Sequence, residues 1–256
     1  MYVSMAEEID FIKYKELGAY HWENYFGSVF KINSFVRARY DIVIQLLKVG
    51  GIRKDSLLLE VGCGDGALSG LIYKSFACHL VGVEPSEIGI KFCKEMFSKH
   101  GYSGTFSVSE GYTFDYPDNH FNYVVMADVI EHLQHPDKML EEIKRVLKPG
   151  GHVIITTPVR ITELPEDKMH VQEFFPTELR ALCDNYFGVP VKSMYTHPVV
   201  WRELYKHGNK KIRSLIRLYC RIRDKVFGRN VFLKEAGNSR WENYSMQSLL
   251  YTNNQK

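Results

Sequence analysis

The 256-residue sequence has no apolar run long enough to cross a bilayer. Stretches such as 123–127 and 153–155 fall far short of the ~20 residues a spanning helix needs. It has no C-x-x-C pair. Its five cysteines, Cys63, Cys78, Cys93, Cys183 and Cys220, are an odd and scattered set, which speaks against a disulfide framework and for a reduced, cytoplasmic setting. The opening MYVSMAEEID is acidic, where a secretory signal is basic and then apolar, so no export is expected. Internal repeats and low-complexity linkers are missing, and glycine (19) and proline (9) are ordinary in number, which excludes fibrous and disordered classes. What remains is 45% hydrophobic and 13% aromatic, enough for one sizeable α/β domain with a small appendage.

The formal net charge of +3 hides an uneven distribution. Residues 206–234 carry ten Lys/Arg against a single acid, Asp224, a local +9 that leaves −6 on the rest. Short apolar runs at 57–61, 80–83, 106–108, 123–126 and 153–156 read as buried strands, with helical segments near 67–75, 86–100 and 137–147 between most of them. Such alternation predicts a parallel sheet covered on both faces. The chain divides into an aromatic-rich helical cap or lid (1–50), a central domain (51–200) and a basic amphipathic extension (201–256). A helix is expected over 176–186 and a strand near 189–195. Residues 235–256 read as a polar, poorly ordered tail.

The most informative stretch is Leu57-Leu-Leu-Glu60-Val-Gly62-Cys63-Gly64-Asp-Gly66-Ala67, a strand running into a glycine turn and then a helix. Glycines let a ligand approach the backbone closely, and the helix that follows offers unpaired N–H groups. Gly62-x-Gly64-x-x-Ala67 also satisfies a dinucleotide fingerprint, with Glu84 at the end of the next strand. Glu60 separates the ligand classes: its carboxylate beside the turn would repel a pyrophosphate and attract an ammonium group. S-adenosylmethionine carries an α-amino group and a sulfonium without phosphate, and Glu84 suits its ribose diol.

With these motifs the chain resembles the class I (Rossmann-like) S-adenosylmethionine-dependent methyltransferases of the small-molecule type, over roughly residues 38–190. Glu60, Gly62, Cys63, Gly64 and Gly66 match the family's first motif, and Glu84-Pro85 the second. Glu110-Gly111 stand where an acid and a backbone N–H hold the adenine, and Asp128 borders the cofactor after the fourth strand. The resemblance implies a doubly wound, mostly parallel seven-stranded α/β sheet, preceded by N-terminal helices and followed by a basic C-terminal helical appendage. It implies a methyltransferase whose acceptor lies over the ends of strands four and five.

There Asp128, Glu131, His132 and His135 fall within eight residues. In one reading Asp128 borders the cofactor, Glu131 and His132 brace neighbouring loops, and His135 is solvated. In a second, His132 or His135 is the general base for a hydroxyl acceptor. His170, in the loop 159–175, faces the acceptor or anchors that loop. A third reading follows from similarity to ubiquinone-pathway O-methyltransferases and small-RNA 2′-O-methyltransferases: Asp128, Glu131, His132 and His170 hold a divalent ion. A metal is not favoured, because Asp128 is shorter than the Glu those enzymes carry. The aromatic N-terminus (Tyr14, Tyr20, His21, Trp22, Tyr25) is expected to form a lid or a packing layer.

In residues 210–227 an apolar helical stripe is ringed by Lys and Arg. The segment is expected either to dock on the domain with a solvated basic face or to lie peripherally on an anionic membrane. Nucleic acid is disfavoured, because no aromatic platform interleaves the charges. The expected activity is methyl transfer to a hydroxyl of a small molecule, a saccharide or lipid-linked glycan precursor foremost. The alternatives are a metal-assisted RNA 2′-O-methyltransferase, a quinone-pathway O-methyltransferase, or a non-catalytic cofactor-binding scaffold.

Overall fold

The computed structural model describes residues 14–161, 165, 167–207, 209–236 and 241–254. The acidic N-terminal decapeptide, and with it the expectation of no export, lies outside them.

After a helical stretch at 14–17, a short helix and a longer one follow. Helix α1 (Tyr20–Phe26) leads to α2 (Ser34–Val49), whose first turn is closed by the Asn33 side chain accepting from Phe35 N–H at 3.1 Å. Strands and helices then alternate: β1 (Leu57–Val61), α3 (Ala67–Phe76), β2 (His79–Glu84), α4 (Glu87–His100), β3 (Thr105–Val108) and β4 (Phe121–Ala127). A 3₁₀ turn at Ile130–His132 precedes α5 (Pro136–Val146), which starts on a proline whose missing N–H costs nothing there. Strand β5 (Leu147–Pro158), α6 (Pro176–Phe187), β6 (Lys192–Pro198), α7 (Val199–Lys206), α8 (Lys210–Lys225) and β7 (Tyr244–Thr252) complete the fold.

The strands form one seven-stranded sheet in the order β3-β2-β1-β4-β5-β7-β6. All pairs from β3 to β5 are parallel, and β7 inserts antiparallel between β5 and β6. Alternate residues feed opposite faces, as the pleat requires. Leu58, Leu80, Val125, Ile154 and Leu250 join one core with α1–α4, while Leu59, Val81, Val124, Ile155 and Leu249 join the other with α5 and α6. Burial on both faces is why the strands read as unbroken apolar runs.

One expectation of the fold needs correction. The tail 235–256 contains β7, buried along its length save for Thr252, so the proposed division at residue 200 does not isolate an appendage. Its polarity misled because its polar side chains tie neighbouring elements together. Gln247 Nε2 donates to Phe174 O (2.9 Å) and Ser245 Oγ to His197 O (3.0 Å). The described part of the N-terminal segment packs as the layer that was one of its two readings, since Trp22, Ile42 and Leu46 belong to the main core.

The strand order reverses between β1 and β4. In open α/β sheets, ligands sit outside the carboxyl ends of the strands at such a switch point. The turn after β1 and Asp128 after β4 meet there.

Candidate active site

The turn after β1 is made by backbone geometry that side chains resist. Gly62, Gly64 and Gly66 have φ of 73°, 52° and 77°, the left-handed region open to glycine. A Cβ on Gly62 would also collide with Val129, and one on Gly64 with the Tyr14 hydroxyl. The turn is held by Gly62 N–H donating to Val83 O (2.8 Å) and Gly66 N–H to Cys63 O (2.8 Å). Cys63 offers its backbone to the turn while its buried thiol, held well up by a hydrogen bond with Cys93 and by burial, faces the core.

Three carboxylates gather around this turn. Glu84 accepts from Gly64 N–H (3.0 Å) and from Ser86 N–H (3.2 Å), which fixes it at the mouth of β2. Glu60, expected beside the turn, is buried, with Ser69 Oγ donating to it. Burial pushes its carboxyl up to about 8, and the nearby Asp65 and Glu84 push the same way. A site this crowded with acids fits a cationic ligand without phosphate. Pro85, Glu110 and Gly111 are exposed, the last two on the bend after β3, where Ser109 N–H donates to Glu84 O at 3.2 Å.

The aromatic N-terminus packs directly onto the turn. Asp65 accepts from His21 N–H (3.0 Å), and its carbonyl accepts from Trp22 Nε1 (2.7 Å). Trp22 covers Gly70 so closely that a Cβ there would clash. Tyr14 is buried over Gly64. Asp65, which the sequence reading passed over, is therefore the clasp between lid and turn. An acid set between two turn glycines was its signal.

Across the switch point lies a second group. Asp128 adopts φ 57°, a strained conformation for a residue with a Cβ that recurs at functional sites. The bend turns its carboxylate to Arg39 of α2, 2.6 Å away. Arg39 Nε is sealed from solvent and has no partner among the described residues. Arg39 and Lys206 flank the Phe35 ring, at 5.9 and 4.7 Å from its centroid. Burial, then Arg202 and Arg39, push the Lys206 ammonium down to about 8. Neither cation had been singled out. The signal for Arg39 was a charge within the apolar stripe of α2, four residues from both Phe35 and Val43.

Glu131, His132 and His170 come together as the sequence grouped them, each offering one ligand atom within 4.8 Å of the others. Glu131 is fully buried; Thr157 Oγ1 donates to one oxygen (2.9 Å), and the other has no partner among the described residues. Burial, then Asp128, raise its carboxyl to about 8. His132 Nδ1 lies 3.0 Å from Met169 O and His170 Nδ1 2.6 Å from Glu173, so each ring donates through Nδ1, and the acceptor nitrogen of its neutral form is Nε2. Val171 and Gln172 N–H groups donate to Glu131 O (2.9 and 3.1 Å), which pins the 167–173 loop over the 3₁₀ turn. His135 is not in this group: it is exposed at the start of α5, beside Tyr112.

A glycine turn flanked by acids at the switch point of this sheet, facing a His–Glu group in the loops after β4 and β5, defines a nucleoside-cofactor transferase of the Rossmann-like class. A family model described as "Methyltransferase domain" matches residues 52–214. The chain belongs to the class I S-adenosylmethionine-dependent methyltransferases. Among curated relatives, phosphoethanolamine N-methyltransferase 1 of Arabidopsis thaliana is 29% identical over 157 residues, covering 61% of this chain and 31% of that protein. Phosphoethanolamine N-methyltransferase 2 of Caenorhabditis elegans is 26% identical, covering 60% and 35%. The matched region thus spans about a third of these relatives. A solved structure of phosphoethanolamine N-methyltransferase 2 of Haemonchus contortus, in complex with S-adenosyl-L-methionine, superposes with a TM-score of 0.65 at 17% identity, covering 99% of this chain and 60% of that one. It shares the fold.

Proposed function

We propose that the protein methylates the amine nitrogen of a small acceptor that also bears an anionic group such as a phosphate. The observation that carries this reading is the pairing of opposite charges on the acceptor side of the crevice. Glu131 suits the amine, and Arg39, held in place by Asp128, and Lys206 suit the anion. The curated relatives are named for the same chemistry, an amine joined to a phosphate. The hydroxyl acceptor on a saccharide or glycan precursor, expected from sequence, finds no support in those names.

S-adenosylmethionine supplies a methyl group already activated at sulfur. The glycine turn would hold its methionine end, with Glu60 and Asp65 offsetting the cationic charge and Glu84 taking the ribose hydroxyls. Tyr14 and Trp22 close the turn against water. The chain's remaining task is to align the amine and take its proton. The imidazoles of His132 and His170 suit that role, His170 being oriented by Glu173. Release of S-adenosylhomocysteine with phosphoethanolamine as acceptor, and a raised acceptor KM in Arg39→Ala with cofactor affinity intact, is the expected result. Turnover confined to hydroxyl acceptors would overturn the reading.

One observation favours a second reading. The partnerless buried oxygen of Glu131, with His132 and His170, makes a two-histidine, one-carboxylate donor set for a divalent cation. Asp128, the fourth residue of the set proposed from sequence, is engaged with Arg39 instead. Activity lost in EDTA and restored by added Mg²⁺ or Mn²⁺ selects this reading, and full activity in EDTA dismisses it.

A further inference from the structure

Helix α8 is mounted with its basic side inward. Cys220 and Asp224 are its buried positions, and three arginines on the same side donate to carbonyls of the body. Arg213 reaches Lys206 O (3.3 Å), Arg217 reaches Tyr205 O (3.0 Å) and Arg221 reaches Ile32 O (2.9 Å). The first two cap the open end of α7, where cations are favoured. Asp224 pairs with Arg37 at 2.8 Å. Three arginines of the expected basic face are therefore spent on holding the helix in place.

The apolar stripe faces outward. Ile212, Leu215, Tyr219, Ile222 and Val226 recur at helical spacing, with Leu215 68% and Ile212 56% exposed. Val200 of α7, 70% exposed, stands on the neighbouring helix, and Trp201 stacks on Tyr219 at 5.7 Å between centroids. A ridge of this kind on a protein surface marks an interaction site.

We infer that this face of α7 and α8 docks on an anionic lipid surface. Charge selects the occupant. Lys210, Lys211, Lys225 and Arg229 are exposed around the ridge, the one acid of α8 is buried and paired with Arg37, and the exposed Glu203 of α7 is paired with Arg202 at 3.0 Å, so the face offers mainly cations and hydrocarbon. Anionic headgroups meet the cations, the interfacial acyl region takes the ridge, and the lysine stems extend back to the headgroups. A second copy fits badly, because a two-fold contact sets the same cationic rim against itself. Contact is peripheral: among the described residues no helix is long and apolar enough to cross a membrane.

The test is co-sedimentation of the full chain with vesicles of phosphatidylcholine alone or mixed with phosphatidylglycerol. The protein should pellet with the mixed vesicles and not with the neutral ones. Ile212→Glu with Leu215→Glu, both at exposed positions, should weaken that binding about tenfold or more, with S-adenosylmethionine affinity and circular dichroism unchanged. Undiminished binding by the double variant would mean that charge alone drives the contact and would overturn the inference. So would failure to bind the anionic vesicles, or a dimer on sizing columns that the double variant dissolves.

Discussion

Along the β1–β2 edge of the crevice the charged groups are acids, Glu60, Asp65 and Glu84, set by one turn and one strand end. Along the β4–β5 edge, Asp128, Glu131 and Glu173 stand with His132, His170, Arg39 and Lys206. The first edge comes from a few contiguous residues whose backbone does most of the work, and its uniform sign calls for one kind of ligand, a cation. The second draws on α2, the β4 exit, the 167–173 loop and α7, and its mixed signs call for a ligand that carries both. Cofactor recognition is thus local and acceptor recognition is assembled, and variants on the two edges should separate cleanly.

The largest effect should come from the assembled edge. His132→Ala is expected to lower kcat by about 10²- to 10⁴-fold, the usual range for removal of a general base. Calorimetry should find S-adenosylmethionine affinity within about twofold of the parent. A parallel loss of cofactor affinity would show that the two edges are one unit. His170→Ala should behave alike but more mildly if His132 is the base, and the reverse ranking would exchange their roles.

Next in size is Glu84→Ala on the local edge. Losing charge-assisted bonds to the ribose should weaken cofactor binding by roughly ten- to a hundredfold, in line with about 1.5–3 kcal/mol for hydrogen bonds to a charged group. Saturating cofactor should restore most of kcat. Unchanged calorimetric affinity would remove Glu84 from the ribose. A kcat that stays low at saturation would mean that the carboxylate mainly shapes the Gly64 turn through its 3.0 Å bond.

The contrast between the edges also explains what could be read from sequence. Strand β1 matches the apolar run 57–61, and α3 and α4 match the predicted helices within a residue or so, because period and glycine punctuation are local signals. The Glu131–His132–His170 group was legible because a family pattern brings the distant histidine to the turn. Arg39 showed only as a charge within the apolar stripe of α2 and Lys206 not at all, since nothing local shows that α2 and α7 meet at Phe35. Strand β7 was missed because its buried Ser245, Gln247 and Ser248 look like surface residues until their carbonyl partners are known. The orientation of α8 was lost for the same reason: an arginine reads as solvated unless a helix end or a loop waits for it.

The smallest effect concerns pH. Glu60 and Glu131, one on each edge, both titrate near 8 in the folded protein, in each case chiefly because they are buried; an unfolded glutamate titrates near ~4.3. Between these values the folded chain keeps protons that the unfolded chain has released, so stability falls as pH rises. Without cofactor, the melting temperature should therefore drop between about pH 5.5 and 8. S-adenosylmethionine should remove the Glu60 share of that slope, because its cationic end favours the carboxylate and lowers the folded value. The Glu131 share should persist. Glu60→Gln should flatten the slope without cofactor and leave it indifferent to cofactor, whereas Glu131→Gln should flatten it and leave the cofactor response intact. If the cofactor erases the whole slope, the two carboxyls titrate as one group and the local edge is not independent of the assembled one.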